Sequence, residues 1–235
     1  MERPTLLLLH GALGSPATLA PLAELLVADF TVKSFAFSGH GGSEVSFENF
    51  TLPHFAEEVL AFLRGHETAP AHVFGYSMGG YAALLAARRE PARFASITTL
   101  GTKLDWSPES AAAETRFLDP EKMQAKVPAF AEVLRRRHAP ADWAEVVRAT
   151  ARLMETAGAA PPLAAADFAA IRVPVQVLVG DGDLTANQGE ASRMVAGQLP
   201  QVQYAVLPNT PHPIEKADLP DLAKRIHRFA SAHSH

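Results

Sequence analysis

The chain contains no cysteine, which excludes disulfides and any metal centre built on thiolates. It also lacks an excess of either charge. Its 21 Lys and Arg stand against 25 Asp and Glu, a formal net charge of -4, and this balance offers no electrostatic basis for binding nucleic acid or an anionic membrane surface. No apolar run comes near the roughly 20 residues needed to cross a bilayer. The first such run, Leu6 to Leu9, is too short for the core of a signal peptide and gives way at once to His10-Gly11. There is no internal repeat and no long run of like charge; Arg135-Arg136-Arg137 is a short basic cluster of the kind found on solvated helix faces.

What is present is an ordinary globular composition, 48% hydrophobic and 20% charged over 235 residues, enough for one sizeable core and a subdomain. Segments 5–9, 31–37, 71–76, 95–100, 174–180 and 201–207 read as short strands. Several are apolar throughout rather than alternating, as strands covered on both faces are. Helical stretches over 16–28, 52–66, 77–90, 188–198 and 217–231 separate them, so the pattern predicts a mostly parallel sheet with helices on both faces. Right-handed crossovers then bring the loops at the strands' carboxyl ends to one edge, where sites gather. Residues 107–170 break the alternation. Pro108, Pro120, Pro128 and Pro140 each stand near the start of a helical segment, which predicts four short helices covering that edge. Residues 157–166 (AGAAPPLAAA) read as the linker back to the sheet.

The chemistry centres on VFGYSMGGYAALLAA, residues 73–87, where a strand becomes a helix at Gly75-Tyr76-Ser77-Met78-Gly79. A serine between glycines at a strand-to-helix turn stands clear of the sheet at the start of a helix, whose dipole favours developing negative charge. The backbone N–H of Met78, the next residue, then faces the same point. Serine needs a base and an orienting acid, and hydrolases with a turn of this kind carry them in the chain order Ser, Asp or Glu, His. Of the later histidines, His138 falls in the helical region, His227 on the last helix, and His233 and His235 in the tail; His212 follows the last strand on the edge shared with Ser77. Asp181 and Asp183 leave the strand before it, and Asp105 leaves the strand before that. His10-Gly11-Ala12-Leu13-Gly14-Ser15 follows the first strand but has neither the P-loop lysine nor the Gly-x-Gly-x-x-Gly spacing of a phosphate cradle.

Through these motifs the chain resembles the α/β-hydrolase superfamily over nearly its whole length. The resemblance implies a core of residues 1–106 and 171–235 with a helical cap of 107–170 inserted between strands. It also implies that Ala12, after His10-Gly11, supplies an oxyanion-hole N–H together with Met78. Phe37-Ser-Gly-His-Gly-Gly-Ser43 is similar to the superfamily's Gly-x-Gly-x-Ser turn, a structural element that leaves His40 outside the chemistry. The Gly-x-x-Asp pattern selects Asp183 over Asp181 as the acid, with Asp105 in reserve because some members place it one strand earlier. Asp181, directly after Gly180, is better placed to brace the turn.

In size and in its HGALGS and GYSMGG motifs the chain is similar to the MenH-like lyases of that superfamily. Those lyases carry arginine after GYSxGG where this chain has Tyr81, and an anionic substrate there would lose a bidentate partner. The expectation is a cytoplasmic serine hydrolase of small carboxylic or thio-esters. It would use Ser77, His212 and Asp183, no metal or other cofactor, and neither a nucleic-acid nor a membrane partner. Leu104, Trp106, Phe117, Phe130 and Trp143 point to an apolar acyl pocket, with Trp106, Phe117 and Tyr81 as the substrate contacts. The alternatives are a lyase or carbon–carbon hydrolase, which would need cap arginines such as Arg116 or those of the 135–137 cluster, and a ligand receptor with little turnover.

Overall fold

The computed structural model describes residues 3–43, 47–66, 69–186 and 191–234. Its strands are β1 (Thr5–Leu9), β2 (Thr31–Ser34), β3 (Ala71–Tyr76), β4 (Phe94–Leu100), β5 (Val175–Gly182) and β6 (Val202–Pro211). They form one sheet in the order β2-β1-β3-β4-β5-β6, every pair parallel. The helices are α1 (Pro16–Leu26), α2 (Leu52–His66), α3 (Met78–Arg89), α4 (Pro108–Thr115), α5 (Pro120–Lys126), α6 (Pro128–His138), α7 (Trp143–Ala159), α8 (Ala165–Ala170), α9 (Ala191–Ala196) and α10 (Leu219–Ser231).

The strands are apolar on both sides because both sides are covered. In β1, Leu7 and Leu9 join the core that holds α2 and α3, while Leu6 and Leu8 join the core that holds α1 and α10. Each fully buried leucine contributes about 1.5–3 kcal/mol. α2 turns Leu52, Phe55, Ala56, Val59, Leu60 and Leu63 inward at helical spacing. α3 is enclosed on every side from Met78 to Ala87, which explains its run of small and aliphatic residues. Chain order reverses at β1, between β2 and β3, and the crevice at the carboxyl ends of β1 and β3 is where open sheets of this kind bind ligands. Among the described residues no helix is long and apolar enough to cross a membrane.

The structure departs from the sequence expectation in several places. β2 stops at Ser34 rather than running to 37, because the Phe37 N–H leaves the ladder and donates to His10 Nε2 (3.2 Å). β6 runs to Pro211, pairing with Gly182 of β5 beyond an irregularity at Gly180/Gly182; an edge strand tolerates proline. Between β4 and β5 there are five helices, not four. Pro108, Pro120 and Pro128 open α4, α5 and α6, but Pro140 lies in a turn and α7 starts after Asp142, whose carboxylate accepts the Ala144 N–H (3.0 Å). The linker over 157–166 is shorter than its composition implies. Its first residues finish α7, where a side chain at Gly158 would meet Ala111 Cβ at 2.5 Å. Its last residues enter α8, nucleated by the Asp167 carboxylate accepting the Ala164 N–H (3.0 Å). The start of the helix expected over 188–198 lies outside the described residues, as does His235; α9 covers 191–196.

Candidate active site

Ser77 occupies the turn between β3 and α3 with φ +51° and ψ -116°, a positive φ that a non-glycine residue adopts only when its surroundings impose it. The imposition is visible. The Ser77 N–H donates to Leu100 O at the end of β4 (2.8 Å), and the Thr102 hydroxyl donates to Ser77 O (2.9 Å). The flanking glycines serve close approach: a Cβ on Gly75 would lie 2.4 Å from Gly80 Cα, and one on Gly79 would lie 2.5 Å from Leu9 O. The second contact presses the start of α3 against the end of β1. It brings the 10–15 loop beside the serine, so that a Cβ on Gly11 would stand 3.1 Å from Ser77 Cβ.

His212 follows β6, and its Nδ1 lies 2.8 Å from Asp183 Oδ2. Asp183 is 2% exposed, and its other oxygen accepts the N–H groups of Thr185 and Ala186, both at 2.9 Å. These two bonds fix the orientation of the carboxyl group towards His212. Gly101, at φ +61°, makes room for the pair, since a Cβ there would be 2.9 Å from Asp183 Oδ2 and 3.3 Å from His212 Nδ1. The Tyr76 hydroxyl donates to His212 O (2.9 Å), and burial raises its phenol pKa. Asp181 is exposed and accepts the Thr210 N–H (3.1 Å), tying β5 to β6. Asp105 is also exposed.

Ser77 and His212 line one cleft of about 340 Å³ with Ala12, Phe117, Phe130, Arg137, Met154 and Glu215 among its walls. A smaller inner cavity opens beside Ser77 and is lined by Ala12, Met78, Tyr81, Lys103, Trp106 and Met154, among others. The candidate substrate contacts therefore divide. Phe117 is 62% exposed and belongs to the outer cleft. Trp106 and Tyr81 line the inner cavity, where the Tyr81 hydroxyl accepts the Leu163 N–H (3.1 Å) and burial pushes its pKa up to about 12. Leu104 and Trp143 are buried in the packing of the helices instead. Arg116 lies against Phe117 (4.5 Å) and outside both cavities, and Arg135 and Arg136 pair with Glu132. Arg137 reaches the cleft, donating to Leu13 O (2.7 Å).

A second histidine group lies behind the 10–15 loop. His10, His40 and His138 are fully buried, with ring centroids 5.1 Å (His10–His40) and 5.7 Å (His40–His138) apart. Because His10 Nε2 accepts the Phe37 N–H, its Nδ1 carries the proton and donates to Gly11 O (2.8 Å). By the same logic His138 Nδ1 accepts the Gly41 N–H (3.2 Å) and Nε2 donates to Leu13 O (3.2 Å). Burial lowers His10 and His138 to about 4 and holds His40 well below the usual value. Lys103, Thr102 and Thr185 also border the site and belong to no motif, and Tyr76 does so from a variable position of the Gly-x-Ser-x-Gly turn.

A model of the alpha/beta hydrolase fold matches residues 4–161. The pimeloyl-[acyl-carrier protein] methyl ester esterase of Aromatoleum aromaticum is 36% identical over 115 residues, 48% of this chain and 44% of that protein. The 3-oxoadipate enol-lactonase 1 of Acinetobacter baylyi is 35% identical over 104 residues, 42% of this chain and 39% of that protein. The matched segments thus span less than half of these relatives. Among solved structures, MenH from S. aureus superposes with a TM-score of 0.79 at 20% identity, covering 100% of this chain and 96% of that one. With the sheet, the turn at Ser77 and the family match in agreement, the chain belongs to the alpha/beta hydrolase fold family.

Proposed function

We propose that this protein is a serine hydrolase of small carboxylic or thio-esters. Ser77 Oγ adds to the ester carbonyl while His212 takes its proton; the alcohol or thiol leaves with that proton, and water activated by His212 releases the acyl group. Asp183 fixes the imidazole with Nδ1–H towards itself, which leaves Nε2 as the base, and stabilises the imidazolium as it forms. The N–H groups of Ala12 and Met78 hold the oxyanion. Residues 107–170 act as a cap on a core of 1–106 and 171–235, lending Glu114, Phe117, Phe130, Arg137 and Met154 to the cleft.

One observation carries this reading: a buried carboxylate 2.8 Å from His212 Nδ1, in a cleft that also holds a serine kept at positive φ. The relatives named as a methyl ester esterase and an enol-lactonase support an ester substrate. A lyase or carbon–carbon hydrolase acting on an acidic substrate draws on Arg137 as its cleft arginine. That guanidinium is already engaged by Leu13 O and lies 4.0 Å from Glu215. The test is Ser77→Ala. Its turnover of short p-nitrophenyl esters should fall by about 10⁶, and a fluorophosphonate probe should no longer label it. Labelling at the wild-type rate overturns the reading.

A further inference from the structure

The inner cavity beside Ser77 is walled by Leu52, Met78, Leu153 and Met154, yet it is also lined by Lys103 and Trp106, two side chains whose buried donors have poor partners among the described residues. Lys103 follows β4 and its side chain is 6% exposed. Its ammonium has three N–H groups, but its contacts are long: Thr185 O at 3.5 Å and Glu114 Oε1 at 3.8 Å, against about 2.7–3.2 Å for a formed N–H···O bond. Trp106 stands next to it, with Lys103 Nζ 5.6 Å from the ring. The Trp106 indole N–H is buried and has no hydrogen-bond partner among the described residues. A buried donor left unmade is costly, and a native structure that keeps one calls for an explanation. Two such donors in a cavity that opens on the nucleophile are explained by an acceptor brought in with the substrate.

We propose that Lys103 and Trp106 form a polar subsite for the acyl group, receiving a neutral acceptor oxygen such as a ketone or hydroxyl a few carbons from the ester carbonyl. The acceptor is neutral because Glu114 already balances the ammonium; a carboxylate would enter beside that acid and be repelled. Burial lowers the Lys103 pKa, as expected for a cation placed among apolar walls. The subsite rests on the serine-hydrolase reading and narrows it to short oxo- or hydroxyacyl esters.

The experiment compares p-nitrophenyl pentanoate, 4-oxopentanoate and hydrogen succinate, with fluorophosphonate labelling run in parallel. Wild-type protein should favour the oxo ester over pentanoate by at least about tenfold in kcat/KM. In Lys103→Met and in Trp106→Phe that ratio should fall towards one. Lys103→Met removes the cation beside the Glu114 carboxylate, so Lys103→Met/Glu114→Gln is measured beside it, and the ratio cancels any loss of folded protein. An equal slowing of both esters in these variants gives the two residues a structural role and overturns the subsite. A Lys103-dependent preference for the succinate ester overturns the neutral acceptor. Labelling with pentanoate turnover but no oxo preference refutes the subsite alone, whereas neither labelling nor turnover refutes the hydrolase reading with it.

Discussion

At the cleft, His212 is partly exposed and faces the Asp183 carboxylate through Nδ1; behind the 10–15 loop, His10, His40 and His138 are enclosed and face backbone carbonyls. A carboxylate both orients an imidazole and supplies the charge that stabilises its protonated form. A carbonyl orients it and supplies little. Burial then decides the rest, holding the three enclosed rings neutral. The first arrangement has the charged partner that the proposed proton relay requires, while the enclosed group keeps its tautomers and so holds Gly11, Leu13 and Gly41 in place. The difference lies in the partner, not in the side chain.

Among changes around these histidines, removing the carboxylate should give the largest effect. Asp183→Asn leaves His212 beside an amide that can stabilise the wrong tautomer, and turnover should fall roughly 10⁴-fold with the fold retained. Steady-state kinetics and a thermal melt check both halves; a loss below tenfold would mean that the carboxylate does not set His212 apart from the enclosed histidines. Gly101→Ala sharpens the comparison without substituting either partner. The added methyl meets Asp183 Oδ2 at 2.9 Å in a positive-φ position, so strain of about 1–3 kcal/mol is expected. Turnover should drop roughly 10- to 100-fold through misplacement of the pair, read as a fall in kcat with substrate binding little changed.

The smallest effect concerns the enclosed group and reads stability rather than rate. These histidines titrate near 6.5 in the unfolded chain; in the folded chain burial lowers His10 and His138 to about 4 and holds His40 well below its usual value. The unfolded chain therefore binds more protons as pH falls below 6.5, and the stability these groups contribute, fully present above that pH, is lost on acidification. The urea midpoint should decline between pH 6.5 and 5, and less steeply in His138→Gln, which does not titrate yet retains a donor for Leu13 O. A variant slope equal to wild type would remove His138 from the account.

Apolar runs announced the strands, and the glycine pattern announced the turn at Ser77, because both signals are local. The geometry then places Asp183 rather than Asp181 or Asp105 at His212. What escaped the sequence depends on distant partners. Lys103 reads as an ordinary surface lysine until α4 brings Glu114 to it and α7 closes the cavity. Tyr76 reads as a strand residue, since its bond to His212 O spans 136 positions. The proline rule succeeded where proline opened a helix and failed at Pro140, where Asp142 provides the stronger start signal. The extension of β6 through Pro-Asn-Thr-Pro was hidden because those residues signal turns, and only the edge position of the strand permits them.

The helices between Leu100 and Val175 form one long excursion whose two ends are neighbouring parallel strands. The entropy of closing such a loop grows only with the logarithm of its length, about 0.6 kcal/mol for each doubling. Lengthening or exchanging the excursion therefore costs the sheet little, provided that Leu13 O keeps the donors it receives from Arg137 and His138. The residues that shape the cleft walls and those that build the turn at Ser77 thus sit on parts of the chain that can change at different rates. The shape of the cleft can change in the helices while the strand ends stay as they are.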